Sequence, residues 1–290
     1  MECDSGIKPR IERLEGGIER SEVRITNEEA AKRLGRPMGT YVTLSCAQEK
    51  SIALDTREAL AQALCSELAK MLPRDAKCIL VVGLGNRHVT PDALGPKTAD
   101  RVLVTRHLLG VLGEDMMRCV CAASPGVLGV TGVETAEVVL GMVKSVAPDA
   151  VIAVDALAAR NSERICSTVQ IADTGIAPGS GVGNHRRALN SETLGVPVIA
   201  VGVPMVVYAA SIASDALCAL ARADGASSEE EEKLSQLARR IVSEQLGDLI
   251  VTPREVDALV ERMAGIVAEG INLALHPGLG EAEIAQLMAP

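Results

Sequence analysis

From Cys78 onward the chain alternates short runs that are apolar at nearly every position with longer stretches whose apolar residues recur at helical spacing. The short runs are CILVVG, CVCAA, DAVIAVDAL and PVIAVGV. Strands of this kind, without a polar alternate, are buried on both faces and belong to a parallel sheet covered by helices on two sides. Between them VETAEVVLGMVKSV reads as a helix, with Thr131 as its cap and Glu134 at its third position, and TADRVLVTRHLLGVLG reads as another. Upstream, NEEAAKRLG carries a cap signal at Asn27 and a stop at Gly35, and TYVTL is a β-branched strand candidate. LDTREALAQALCSELAKML places Leu60, Leu64, Leu68 and Leu72 on one face of an amphipathic helix. STVQIA reads as a strand followed by a glycine-rich loop. A helix is expected from Val206 to about Ala221, and two closing helices over about 229–246 and 253–275, the second opening with Thr252 and Pro253. Residues 1–20 are polar and lack periodicity, so they are expected to be a flexible segment. Residues 21–290 form one domain, since a single α/β unit of this length is common. The expected class is α/β, a mainly parallel sheet with helices on both faces.

Composition narrows the function. The chain has no Phe, no Trp and two tyrosines, Tyr41 and Tyr208, so its core is built from aliphatic side chains and Met. Ring-stacking platforms for single-stranded nucleic acid or sugars are therefore excluded. With 29 basic and 38 acidic residues the net charge is −9, which argues against a general phosphate-binding surface. The eight cysteines form no CxxC pair and mostly sit in apolar runs, which reads as reduced core thiols. No run approaches the length of a membrane span.

Candidate chemistry gathers where strands end. In VVGLGNRHVTPDALGP a buried strand gives way to a loop carrying Asn86 and Asp92. Functional groups of an open α/β sheet collect at such carboxyl ends. A dinucleotide fingerprint would need glycine at position 88, which is His. In DAVIAVDALAAR a single carboxylate, Asp155, closes an apolar strand and Arg160 follows as its candidate partner. A carboxylate in such surroundings is costly to desolvate without a partner or a task. If the two strands are neighbours, Asp92 and Asp155 meet at one crevice, where a shared proton makes one the base and the other the acid. The loop TGIAPGSGVGNHRRAL, with Ser180, is a third candidate, read as a substrate-facing loop or a structural turn. It lacks the Walker spacing and the GxSxG elbow. No cofactor and no metal are expected, because the four histidines are scattered.

The blocks GLGNRHVTPDALGP, SPGVLGVTGVET, VIAVDALAAR, QIADTGIAPGSGVGNHRRALNSETLGVPVIAVGVP and LIVTPREVDALVERMAGIVAEGINLALHPG resemble the spore germination protease family, in consistent order from about Val23 to Gly278. The resemblance implies a fold like that of hydrogenase maturation peptidases, an α/β sandwich. It implies an endopeptidase of an atypical aspartic type that degrades small acid-soluble spore proteins at germination. The family aspartates map onto Asp92 and Asp155, and Asn86, Arg160 and Ser180 are the supporting or substrate-binding candidates. By the same resemblance the protein is a homotetramer of the cytoplasm, that is of the spore core, with no direct nucleic-acid contact and no membrane association.

Two departures keep alternatives open. Family members are made as zymogens with an N-terminal Arg-Thr-Asp-Leu-Ala stretch, which Met1 to Arg20 lack. Where GVPTVVDA is expected the chain has GVPMVVYA, with Met205 and Tyr208 in place of a hydroxyl and a carboxylate. A catalytically inactive or differently regulated member that binds spore proteins is one alternative. A metal-assisted peptidase, with His88 beside Asp92, is the other.

Overall fold

The structure, a computed structural model, describes residues 7–46, 54–108, 117–178 and 187–288. Its strands are β1 (Ile7–Arg13), β2 (Glu19–Ile25), β3 (Gly39–Ser45), β4 (Cys78–Gly83), β5 (Cys119–Ala123), β6 (Ala150–Ala159), β7 (Thr168–Ala172), β8 (Val198–Tyr208) and β9 (Ile250–Val251). The helices are α1 (Glu28–Leu34), α2 (Leu54–Met71), α3 (Leu94–Ala99), α4 (Leu128–Thr131), α5 (Thr135–Val146), α6 (Ser191–Leu194), α7 (Ala209–Ala223), α8 (Ser228–Leu246), α9 (Val256–Leu275) and α10 (Glu281–Met288).

One sheet runs in the order β1-β2-β3-β7-β8-β6-β4-β5, with β9 pairing β8. The strands with continuous apolar runs, β8, β6, β4 and β5, are parallel neighbours. Both faces of the central strands β4, β6 and β8 are buried over most of their length, while the edge strand β5 is mostly half-buried. One face packs Ile79, Val81, Val120, Ile152, Val154 and Val201 against Leu60, Leu64 and Leu68 of α2 and the apolar stripe of α9. The other packs Leu80, Val82, Val151 and Ala153 against Val139 and Val143 of α5. This is the α/β architecture that the apolar runs predict, with helices on both faces.

The sheet is longer than that pattern suggests. From β8 outward, through β7, β3, β2 and β1, every pairing is antiparallel. Residues 7–20, expected to be flexible, are part of it: Ile7–Arg13 pairs with Glu19–Ile25 in a hairpin whose turn holds Gly16 against Ala59 of α2. The polarity of these residues hid the strand, because its buried face is charged. Arg20, 4% exposed, reaches Glu67 of α2 through two hydrogen bonds of 2.9 and 2.8 Å. It also meets Glu22, and Glu12 at 3.1 Å. One guanidinium thus compensates carboxylates from three elements, two of them (Glu22 and Glu67) buried.

Other boundaries also moved. The strand ending near Val203 continues to Tyr208, and its helix starts at Ala209. Thr131 is the last residue of α4, its hydroxyl donating to the Val127 carbonyl, and Glu134 immediately precedes α5. Over the described part of TADRVLVTRHLLGVLG, α3 ends at Ala99 and residues 100–108 form turns and irregular chain; residues 109–113 of that expected helix lie outside the described residues. Buried Asn272 of α9 explains the turns: its side chain accepts from Leu103 N–H and donates to the Arg101 carbonyl, satisfying backbone groups that a helix would otherwise pair.

Replacing Arg20 by Met is expected to destabilise the protein by about 3 kcal/mol, read from urea unfolding, because Glu22 and Glu67 would stay buried without compensation. An unchanged midpoint would show that the cluster holds nothing. Burial alone would raise the Glu67 carboxyl, but its hydrogen bonds from Arg20 and Lys70 outweigh this and hold it below the usual carboxylate range. The stability it contributes is present above the unfolded carboxylate value and is lost as pH falls through the lowered folded value. A Glu67→Gln variant should therefore lose less stability than the parent between about pH 6 and about pH 3. Equal losses would refute that linkage.

Candidate functional site

The strand order creates a crevice. From β4 the chain crosses to β5 on one side, whereas from β6 it leaves toward β7 and β8 on the other, so β4 and β6 are neighbours whose connections diverge. In open α/β sheets ligands bind outside the carboxyl ends at such a switch point. Asp92 follows β4 and Asp155 lies on β6.

The loop after β4 is folded tightly back onto the sheet. The Leu84 amide donates to the Val154 carbonyl of β6 at 2.8 Å, extending the β4–β6 ladder past Gly83. Gly85 then turns at φ +111°, a conformation that side chains disfavour, and a Cβ there would collide with the Asp92 backbone carbonyl. Gly95 in α3 is similarly placed, since a Cβ would strike Leu84 and the Val154 carbonyl. Backbone thus lies on backbone, and Pro91 and Asp92 form a single 3-10 turn above the strand ends. Asp92 Oδ2 accepts a hydrogen bond from the Asn86 amide at 2.7 Å, and Asn86 Oδ1 accepts from the His88 amide at 3.0 Å. Arg87 braces the loop to the end of α3 through two bonds to Asp100, of 2.6 and 3.0 Å.

Asp155 is not at the end of its strand, as its sequence context suggests, but four residues inside it. On one flank it pairs with Gly202 of β8. On the other, β4 stops opposite Val154, so the place beside Asp155 is taken by the Asp92 loop and not by a strand. Asp155 is 6% exposed, and its Oδ1 accepts from the Ala156 amide at 3.0 Å. Beyond it, a register shift at Leu157 and Ala158 bends β6 along the crevice.

Asn86, Asp92 and Asp155 line one cavity of about 400 Å³. Its walls are apolar, from Leu84, Val89, Val127, Leu157, Val206 and Ile250, with Thr135 and Pro178 beside them. A second cavity, about 440 Å³, lies among α2, α9 and α10 and holds neither aspartate.

The structure therefore brings together three of the five residues singled out from the sequence. Arg160 is exposed beyond the end of β6 and does not line the cavity. Ser180 lies outside the described residues, as do His185 and Arg186. His88 is exposed and does not line the cavity. Met205 is fully buried in the core beside Cys166, and neither it nor Tyr208 lines the cavity, whereas their neighbour Val206 does. Thr135 was missed. It is buried at the start of α5, its hydroxyl donating to the Gly126 carbonyl at 3.1 Å, and its signal was the glycine-rich turn SPGVLGVTGVET. Ile250 carried no such signal, because it reaches the cavity through the two-residue strand β9.

The germination protease family model matches residues 4–240 and 224–287. The chain is 46% identical to the germination protease of Caldanaerobacter subterraneus subsp. tengcongensis, over 94% of this chain and 90% of that one. It is 41% identical to the germination protease of Clostridium acetobutylicum, over 97% and 91%, and 42% identical to that of Priestia megaterium, over 91% and 85%. Among solved structures, a [NiFe] hydrogenase maturation protease, HycI from Thermococcus kodakarensis KOD1, aligns with a TM-score of 0.38 and 20% identity, covering 71% of this chain and 98% of that one. With a family model spanning nearly its whole length and such relatives matched almost end to end, the chain belongs to the germination protease family of peptidases.

Proposed function

We propose that the protein is an endopeptidase of atypical aspartic type that hydrolyses small acid-soluble spore proteins during germination, using Asp92 and Asp155. The observation that carries this reading is the placement of both carboxylates on one cavity at the switch point between β4 and β6. Water held between two such groups is activated by the ionised one, which takes its proton as the oxygen attacks the peptide carbonyl. The protonated partner polarises that carbonyl and then supplies a proton to the leaving amine. The Asn86 and Ala156 amides fix one oxygen of each carboxylate, which orients the pair. The apolar walls suit an aliphatic side chain of an extended peptide, and their low polarity strengthens the electrostatics of the dyad.

The same reading makes the protein a homo-oligomer, a tetramer by family resemblance, acting in the cytoplasm of the spore core. The hairpin of α7 and α8 supports self-association: Leu217, Leu220, Leu237 and Ile241 are all exposed on it. No described helix is long and apolar enough to cross a membrane.

Incubated with a small acid-soluble spore protein, the parent is expected to give discrete fragments by mass spectrometry, with or without a chelator. Asp92→Asn and Asp155→Asn should each lower kcat/KM by about a thousandfold while the circular dichroism spectrum is kept. Full activity in either variant would sink the assignment, and chelator sensitivity restored by a divalent ion would favour the metal-assisted alternative. Gly95→Ala should lower stability by about 2 kcal/mol and depress cleavage further than the lost folded fraction accounts for, because the Asp92 loop must lift from β6. Activity that tracks only the folded fraction would argue against that positioning. Leu220→Glu together with Ile241→Glu should shift sedimentation to a smaller species, whereas an unchanged coefficient would place the contact elsewhere.

A further inference from the structure

At the opposite ends of the same strands lies a second cluster that the aspartate chemistry does not use. β4 and β5 begin with Cys78 and Cys119, which are Cα partners in the parallel register. Cys121, two residues on, returns to the same face of the sheet as Cys119. Cys78 Sγ lies 3.2 Å from Cys119 Sγ, and the three sulfurs are all within 4.8 Å of one another. None is fully buried. The Arg106 side chain lies near Cys121, and on the inner side Cys121 packs with the cluster of Leu80, Val139 and Val143. These cysteines are therefore not the dispersed core thiols that their apolar sequence context suggests. They form a pocket of sulfur at the sheet edge, reachable from solvent.

We propose that Cys78, Cys119 and Cys121 form a three-thiolate site for a thiophilic d10 cation, Cu+ or Zn2+. Metal–thiolate bonds of about 2.3 Å set sulfurs about 4 Å apart around one ion, in either trigonal or tetrahedral geometry. The observed sulfurs need only small side-chain rotations to reach that spacing. Sulfur-only ligation selects soft ions over hard ones such as Mg2+ or Ca2+. Cu+ is satisfied by three thiolates, and Zn2+ adds a water as its fourth ligand. On binding, three S–H bonds are replaced by three S–metal bonds and three protons leave for solvent, with no sulfur oxidised. Burial, then the hydrogen bond with the neighbouring Cys119, pushes the Cys78 thiol up to about 12, and burial raises Cys121. An ion here ties the edge strand β5 to β4 and leaves the crevice untouched, so the site is independent of the proposed peptidase chemistry.

The test uses the full chain, reduced and freed of metal. Zn2+ and Cu+ are added separately, Cu+ without oxygen, and the ion retained after gel filtration is counted. Co2+ in place of Zn2+ reports thiolate ligation through charge-transfer absorption, and maleimide labelling with peptide mapping reports which thiols are protected. One ion per chain is expected, with metal-dependent protection, measured against the metal-free chain, confined to Cys78, Cys119 and Cys121; buried Cys46 and Cys166 are shielded in both states. Binding should weaken by about tenfold or more in each of Cys78→Ser, Cys119→Ser and Cys121→Ser, and stay unchanged in Cys65→Ser. The ion retained distinguishes Cu+ from Zn2+. Retention of neither, protection at other cysteines, a Cys78–Cys119 disulfide formed in place of metal uptake, or binding that survives all three substitutions would overturn the proposal. Should a variant misfold, the labelling pattern of the parent chain decides by itself.

Discussion

The candidate site depends on one close approach, that of the Gly83–Gly95 loop to the backbone of β4 and β6. Gly85 and Gly95 occupy positions where a Cβ would enter the main chain opposite. Their lack of one lets the turn bearing Asp92 settle where a further strand residue would otherwise continue the sheet. Without that seat, the place beside Asp155 would belong to water or to another strand. The surrounding bonds all serve the same position. Arg87 holds the loop to Asp100, and Lys97 and Arg101 tie α3 to Glu261 of α9, the helix that covers this face of the sheet. The exposed ion pairs are individually weak, so the buried packing of Leu94 and Ala93 carries most of the stabilisation.

The parallel half of the sheet was legible because its residues obey a single rule. Strands buried on both faces need apolar side chains at every position, and β4, β5, β6 and β8 have them. Asp92 and Asp155 were legible for the complementary reason, that each is a carboxylate set within or just after such an apolar run. What was hidden follows from different physics. The β1–β2 hairpin buries Arg20, Glu22 and Glu67 on its inner face, so its alternation is one of charge and not of hydropathy, and a polar stretch looked unstructured. Asp155 reads from sequence as the strand's end but lies four residues inside it, because the length of β6 is set by its pairing with β8, which has no local signature. Arg160 seemed a partner by proximity in sequence, yet the strand carries it past the crevice into solvent.

The two ends of the parallel strands divide the chemistry. At their carboxyl ends carboxylates face an apolar cavity; at their amino ends thiols cluster near a surface arginine. The aliphatic core between them contains no aromatic ring, and its close packing relies on Val, Ile, Leu and Ala in interlocking rows.

The strand order also fixes when the molecule can become whole. β3 must wait for β7, well over a hundred residues later, before it has a second neighbour, and the first parallel neighbours of β6 straddle it in sequence. Such long-range pairing cannot be completed while the C-terminal third is still inside the ribosome. Val206 and Ile250, which wall the crevice, are among the last of its parts to emerge. A growing chain therefore carries both aspartates long before it owns an enclosed cavity, and synthesis order by itself separates having the acidic residues from having the compartment around them.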